Sequence, residues 1–135
     1  MTPAPLDSLR AAALGAMSRA YAPYSNFRVG AALQDNDGRV FVGCNVENAS
    51  FGGTICAERA AIAAALVAGS RSFDRLVVAT EATEPTPPCG VCRQVLVEFA
   101  PAIEVISITA AGQEARWTLD ALLPSPFTPH SLTHQ

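Results

Sequence analysis

The sequence predicts an α/β fold, a single-domain α/β/α sandwich whose helices cover the faces of a mixed five-stranded sheet. Three observations carry that expectation. The 135 residues are half apolar and only 16% charged, which supplies a core for one compact domain over residues 1–135 and excludes a disordered chain. Apolar residues switch between helical and strand spacing in the order α-β-β-α-β-α-β-β. The later connections run strand-helix-strand, and such crossovers imply parallel pairing beside an antiparallel opening hairpin.

The elements follow in chain order. After Pro3 and Pro5, the residues Leu6, Leu9, Ala13, Ala16, Met17 and Ala20 share one face at helical spacing, predicting a helix over 6–20 that the turn-rich Tyr21-Ala22-Pro23-Tyr24-Ser25-Asn26 ends. Strands over 27–34 and 39–46 flank the turn Asp35-Asn36-Asp37-Gly38 and form a hairpin. A polar loop over 47–53 leads into an alanine-rich helix over 54–68, with Gly69 placed to stop it. The run Arg75-Leu76-Val77-Val78-Ala79-Thr80 reads as a buried strand, and a proline-rich loop over 84–88 delivers the chain to a helix over 90–99, stopped by Pro101. Strands over 104–109 and 114–118 complete the sheet. The tail from Pro124 carries three prolines and little periodicity, so its last residues, 129–135, are expected to be flexible or to lie on a partner subunit.

Charge narrows the function. The net charge is −3, and the nine basic residues, all arginine, are scattered from Arg10 to Arg116, so no electrostatic footprint for nucleic-acid binding is present. A small or neutral ligand is favoured. The first 17 residues lack the basic start and apolar run of a secretory signal, and no apolar stretch reaches the ~18 residues of a membrane span. The expected location is therefore the cytoplasm, where Cys44, Cys56, Cys89 and Cys92 read as metal ligands or catalytic groups rather than disulfide partners.

Cys56-Ala57-Glu58 and Pro88-Cys89-Gly90-Val91-Cys92 both lie where a loop becomes a helix. There the free backbone N–H groups and the positive end of the helix dipole favour thiolates. Two such helix starts could present three thiolates to one Zn²⁺ and leave a fourth tetrahedral position open for water, as a catalytic site requires. Glu58, two residues beyond Cys56, could take a proton from that water and pass it to a substrate. Three thiolates with Zn²⁺ sum to −1, which weakens the metal as a Lewis acid, and Arg59 and Arg93 are candidates to offset that charge by hydrogen bonding to the sulfurs. Other readings stay open. Cys89 and Cys92 could be a redox pair, or Cys44 could close a structural four-cysteine site, although Cys44 by itself reads as a small buried thiol. Glu58 could serve only the helix dipole, and the two arginines could be solvated helix charges.

The pattern Cys56-Ala57-Glu58-Arg59 followed by Pro88-Cys89-Gly90-Val91-Cys92-Arg93-Gln94 resembles the zinc-dependent cytidine deaminases, in the small homotetrameric branch whose zinc is held by three cysteines. Two further stretches, Tyr21 through Leu33 and Gly43 through Ser50, are similar to the family's other signatures, so the resemblance covers nearly the whole chain. It implies one zinc per subunit on Cys56, Cys89 and Cys92, with Glu58 as acid and base. It also implies that Phe27 stacks on the pyrimidine, Asn45 and Glu47 bond the ribose hydroxyls, and the backbone around Ala57 holds the base carbonyl. Phe127 would reach into a neighbouring subunit's site, giving a homotetramer with shared active sites. The implied reaction is deamination of cytidine and deoxycytidine to uridine and deoxyuridine with release of ammonia, in pyrimidine salvage. Where the family often has tyrosine, this chain has Phe51, and the lost hydroxyl would cost about 0.5 to 1.5 kcal/mol, leaving activity intact. The rival readings are deamination of another aminopyrimidine nucleoside and a non-catalytic zinc module used for assembly. Editing of polynucleotides would need a basic surface. His130 and His134 receive no role as ligands.

Overall fold

The computed structural model describes residues 5–133. Five strands form one sheet in the order β2-β1-β3-β4-β5, with β1 at Val29–Asp35, β2 at Val40–Cys44, β3 at Phe73–Thr80, β4 at Glu104–Thr109 and β5 at Glu114–Thr118. Helix α1 spans Leu6–Met17, α2 Ala57–Val67, α3 Gly90–Phe99 and the short α4 Leu119–Leu122. The mixed sheet is as expected, but its parallel pairing is narrower. Among the five strands described, only the β3–β4 pair is parallel, in register from Arg75 opposite Glu104 to Thr80 opposite Thr109. The crossover through α2 carries the chain from β2 past β1, which inserts antiparallel between β2 and β3, and β4–β5 is an antiparallel hairpin.

Successive side chains in a strand point to opposite faces, and the two cores divide accordingly. Ala32, Val77, Ala79, Ile106 and Ile108 pack under Leu9, Ala13 and Met17 of α1. Ala31, Leu33, Leu76, Val78 and Val105 pack on the other side against Ala61, Ile62 and Ala65 of α2 and Leu96 and Val97 of α3. The sandwich is thus α1, sheet, and α2 with α3.

Several boundaries differ from expectation, and specific contacts account for four of them. β1 starts at Val29 rather than Phe27 because the Asn45 side chain takes the place of a partner strand: its Oδ1 accepts from Val29 N and its Nδ2 donates to Phe27 O, both at 2.8 Å. β2 ends at Cys44 because Val46 leaves β1 and pairs with Ile55 through two backbone hydrogen bonds of 2.9 Å. That same pairing keeps residues 54–56 extended, so α2 begins at Ala57 with Cys56 as its N-cap. In addition, α1 closes at Met17, where Ser18 Oγ donates to the Gly15 carbonyl. The start of the tail forms a 3-10 turn at Pro129–Leu132, held by Ser131 N to Thr128 O; His134, for which no role was expected, lies outside the described residues.

Two glycines set the spacing of the layers. A Cβ on Gly30 would lie 2.0 Å from the Ala13 carbonyl oxygen of α1, and one on Gly43 would lie 2.5 Å from both Ala57 O and Ala61 N of α2. Both obstacles are backbone, so they cannot move without the helix. Gly43→Ala is therefore expected to displace the first turn of α2, costing about 1–3 kcal/mol of stability and lowering zinc content; thermal unfolding and metal analysis check both.

Candidate metal centre and its cavity

The Val46–Ile55 pairing brings the start of α2 against the start of α3, and the three sulfurs of Cys56, Cys89 and Cys92 come within 4.8 Å of one another. Cys56 Sγ and Cys89 Sγ are 3.9 Å apart. Sulfurs tetrahedrally disposed about zinc at about 2.3 Å stand about 3.8 Å apart, so the set fits one zinc ion per chain. A second observation agrees. Arg59 Nη2 donates to Cys56 Sγ at 3.6 Å, while its buried Nε has no partner, a donor that a thiolate-rich metal centre would satisfy. Cys44, half-buried rather than buried, is outside the cluster, its thiol facing the Arg19 carbonyl at 3.8 Å, which leaves the fourth position unfilled by cysteine.

The two arginines behave differently. Arg59 touches a metal-ligand sulfur as expected. Arg93 instead donates from Nε to Pro88 O and from Nη1 to Leu122 O, both at 2.8 Å, bracing the loop that carries Cys89 against the end of α4.

Electrostatics in the cluster are uneven. A hydrogen bond from the Cys92 thiol, helped by Arg59 and against the effect of burial, brings Cys56 down to about 5. The same bond, together with burial and the charges of Glu58 and Cys56, pushes Cys92 well above the ordinary thiol range. A cation held by the cluster would compensate the charge that ionisation of Cys92 adds. Glu58, 5% exposed, is pushed up to about 6, mainly by burial; bonds from its own backbone and Cys92 lower it, while the Cys56 charge raises it.

The sulfurs of Cys56 and Cys89 open onto a cavity of about 280 Å³ that Phe27, Asn45, Glu47, Ala57 and Glu58 also line. Of the residues singled out in the sequence, Cys92 lies buried behind this wall, and Phe127 is 58% exposed and not part of it. Asn45 retains one N–H and one lone pair beyond its bonds to the Phe27 and Val29 backbone. Residues that sequence reasoning did not single out complete the walls: Ser25, Val29, Thr54, Ile55, Val78, Thr80, Thr86 and Pro87. Ser25 sits inside the tyrosine-containing stretch after α1, and Thr86 and Pro87 in the proline-rich loop, but their facing partners are far away in sequence. Ser25, Glu47 and Thr54 also line a neighbouring hollow floored by Tyr24 and Phe51, whose rings meet edge to face at 6.0 Å.

Comparison with known proteins agrees with this geometry. The family description "cytidine and deoxycytidylate deaminase zinc-binding region" matches residues 5–110. A cytidine deaminase of Sporosarcina psychrophila is 40% identical over 130 residues, covering 96% of both chains, and one of Halalkalibacterium halodurans is 44% identical over 117 residues, covering 86% of this chain and 89% of its own. The crystal structure of cytidine deaminase from Burkholderia pseudomallei superposes with a TM-score of 0.89 at 48% identity, over 92% of this chain and 100% of that one.

Proposed function

Because the chain belongs to the cytidine and deoxycytidylate deaminase family, we propose that its cavity converts free cytidine and deoxycytidine to uridine and deoxyuridine by hydrolysis, releasing ammonia. The observation that carries this is the meeting, in one cavity, of a three-sulfur zinc site with an open position, a buried non-ligating carboxyl and an aromatic ring. A caged structural zinc would need a fourth ligand, and Cys44 is not there to supply it.

Zinc held by Cys56, Cys89 and Cys92 would supply the Lewis acidity that makes a water nucleophilic near neutral pH. Glu58, pushed up to about 6 by burial, takes a proton from the attacking water and delivers it to the ring nitrogen N3. The C4–O bond forms as N3 is protonated. Glu58 then moves the second water proton to the exocyclic nitrogen, the C4–N bond breaks, and ammonia leaves. Phe27 stacks on the base, and the backbone at the first turn of α2, around Ala57, holds the base carbonyl. Asn45 and Glu47 take the sugar hydroxyls.

Finer assignments rest on the chain's surface. Phe127 is exposed outside its own cavity, and Phe51, Val67 and Leu132 are 76%, 90% and 65% exposed, which supports a homotetramer in which Phe127 completes a neighbour's site. No helix among the described residues is long and apolar enough to cross a membrane, and a cytoplasmic role in pyrimidine salvage suits a free-nucleoside substrate. The scattered arginines and net charge of −3 favour nucleosides over polynucleotides. Zinc-loaded protein is expected to abolish the cytidine absorbance with one ammonia released per nucleoside and to sediment as four chains. Deamination of single-stranded DNA or RNA at a comparable rate would overturn the substrate assignment.

A further inference from the structure

Glu47 is held by three donors from a single turn. Its Oε1 accepts from Tyr24 N at 2.9 Å and Ser25 N at 3.1 Å, and its Oε2 accepts from Ser25 Oγ. An ionised carboxylate offers about four acceptor sites, so one remains, on the oxygen that the Ser25 hydroxyl also touches. That hydroxyl makes a second bond, because its oxygen accepts from Phe27 N at 3.0 Å. One side chain therefore sits between the carboxylate and the aromatic ring that line the cavity from two different segments.

Resting on the function proposed above, we infer that Ser25 is a positioning residue that aims the remaining acceptor of Glu47 at one sugar hydroxyl. Two features support it. The Ser25 hydroxyl is the leading cause that holds the Glu47 carboxyl below its ordinary value, against some burial and with help from the Ser25 and Tyr24 backbone. Glu47 is thereby an acceptor only, so its ligand must donate, as a hydroxyl does. The two backbone donors do not depend on the side chain at position 25, and without the hydroxyl they would leave Glu47 tethered through Oε1 alone and free to swing Oε2 away.

The test is a comparison of Ser25→Ala and Ser25→Thr with the parent enzyme on cytidine and on 2′,3′-dideoxycytidine, the latter read as KM or, where turnover is slow, as a competitive inhibition constant. Ser25→Ala is expected to raise KM for cytidine about three- to tenfold with kcat changed less than about twofold, because the cysteines and Glu58 are untouched. For the dideoxy analogue, which lacks both ring hydroxyls, the ratio of variant to parent is expected to stay near one, and Ser25→Thr is expected to restore cytidine affinity. Equal losses on both nucleosides, or a fall in kcat at constant KM, would show that Ser25 only supports the loop and would overturn the inference. A parent protein inactive on cytidine would instead overturn the function on which it rests.

Discussion

Replacing Glu58 by glutamine is expected to reduce kcat by at least about 10²- to 10⁴-fold while zinc content stays at one per chain. The amide preserves the shape of a side chain that is 5% exposed, but it cannot accept a proton from water or return one to N3 and the leaving nitrogen. Because the glutamate is not a ligand in this geometry, metal analysis separates loss of chemistry from loss of the site. A second readout has the opposite sign. Burial pushes the Glu58 carboxyl from 4.5 up to about 6, so ionising it opposes folding. That penalty is absent below about pH 4.5, grows as pH rises through 6, and is complete at pH 7, where it is about 2 kcal/mol. Metal-free Glu58→Gln protein is therefore expected to unfold at a higher temperature than the metal-free parent at pH 7, with the difference vanishing near pH 4. An active Glu58→Gln enzyme would refute the mechanism, and unchanged stability would refute the burial argument.

Removing zinc is expected to abolish turnover without unfolding the protein. The two apolar clusters are built mainly from sheet and helix residues and do not depend on the cysteines, so the sandwich has its own support. Chelated protein should keep its far-ultraviolet circular dichroism and regain activity on readdition of zinc. Rebinding should release protons, because cysteine binds zinc as the thiolate and the Cys92 thiol is pushed well above its ordinary range, and zinc affinity should weaken by about tenfold per pH unit for each proton displaced as the medium is acidified. Cys92→Ser is expected to lose metal and activity together, whereas Cys44→Ser keeps both. Loss of metal from Cys44→Ser would favour a four-cysteine cage and count against the open site.

Elements governed by local rules were legible. α3 runs Gly90–Phe99 as expected, since the proline-rich approach and Pro101 bound it from both sides, and β4 and β5 match because a short apolar run and an alternating segment, each set between turns, leave few alternatives. The boundaries that moved in β1, β2 and α2 depend on contacts between distant residues. Nothing near Phe27 announces that the side chain of Asn45 will occupy its carbonyl, and nothing near Thr54 announces that Ile55 will pair with Val46. The metal set was readable because each cysteine lies at a helix start, a feature of local sequence. Ser25 was not, because its meaning lies in a carboxylate 22 residues away. Arg93 shows the converse limit: its place beside Cys92 in the sequence suggested the sulfurs, yet the turn of α3 sends it to Leu122, 29 residues downstream.

That link bears on how the motif could be moved. The three sulfurs all lie between residues 56 and 92, which invites grafting that stretch onto another scaffold. The loop presenting Cys89 is anchored, however, by an arginine whose second carbonyl belongs to the far end of the chain, and the neighbouring Gln94 reaches the Phe127 carbonyl at 2.7 Å. A transplant ending at α3 would carry every ligand and leave behind the struts that set their angle. The smallest portable unit is the whole sandwich with its C-terminal arm.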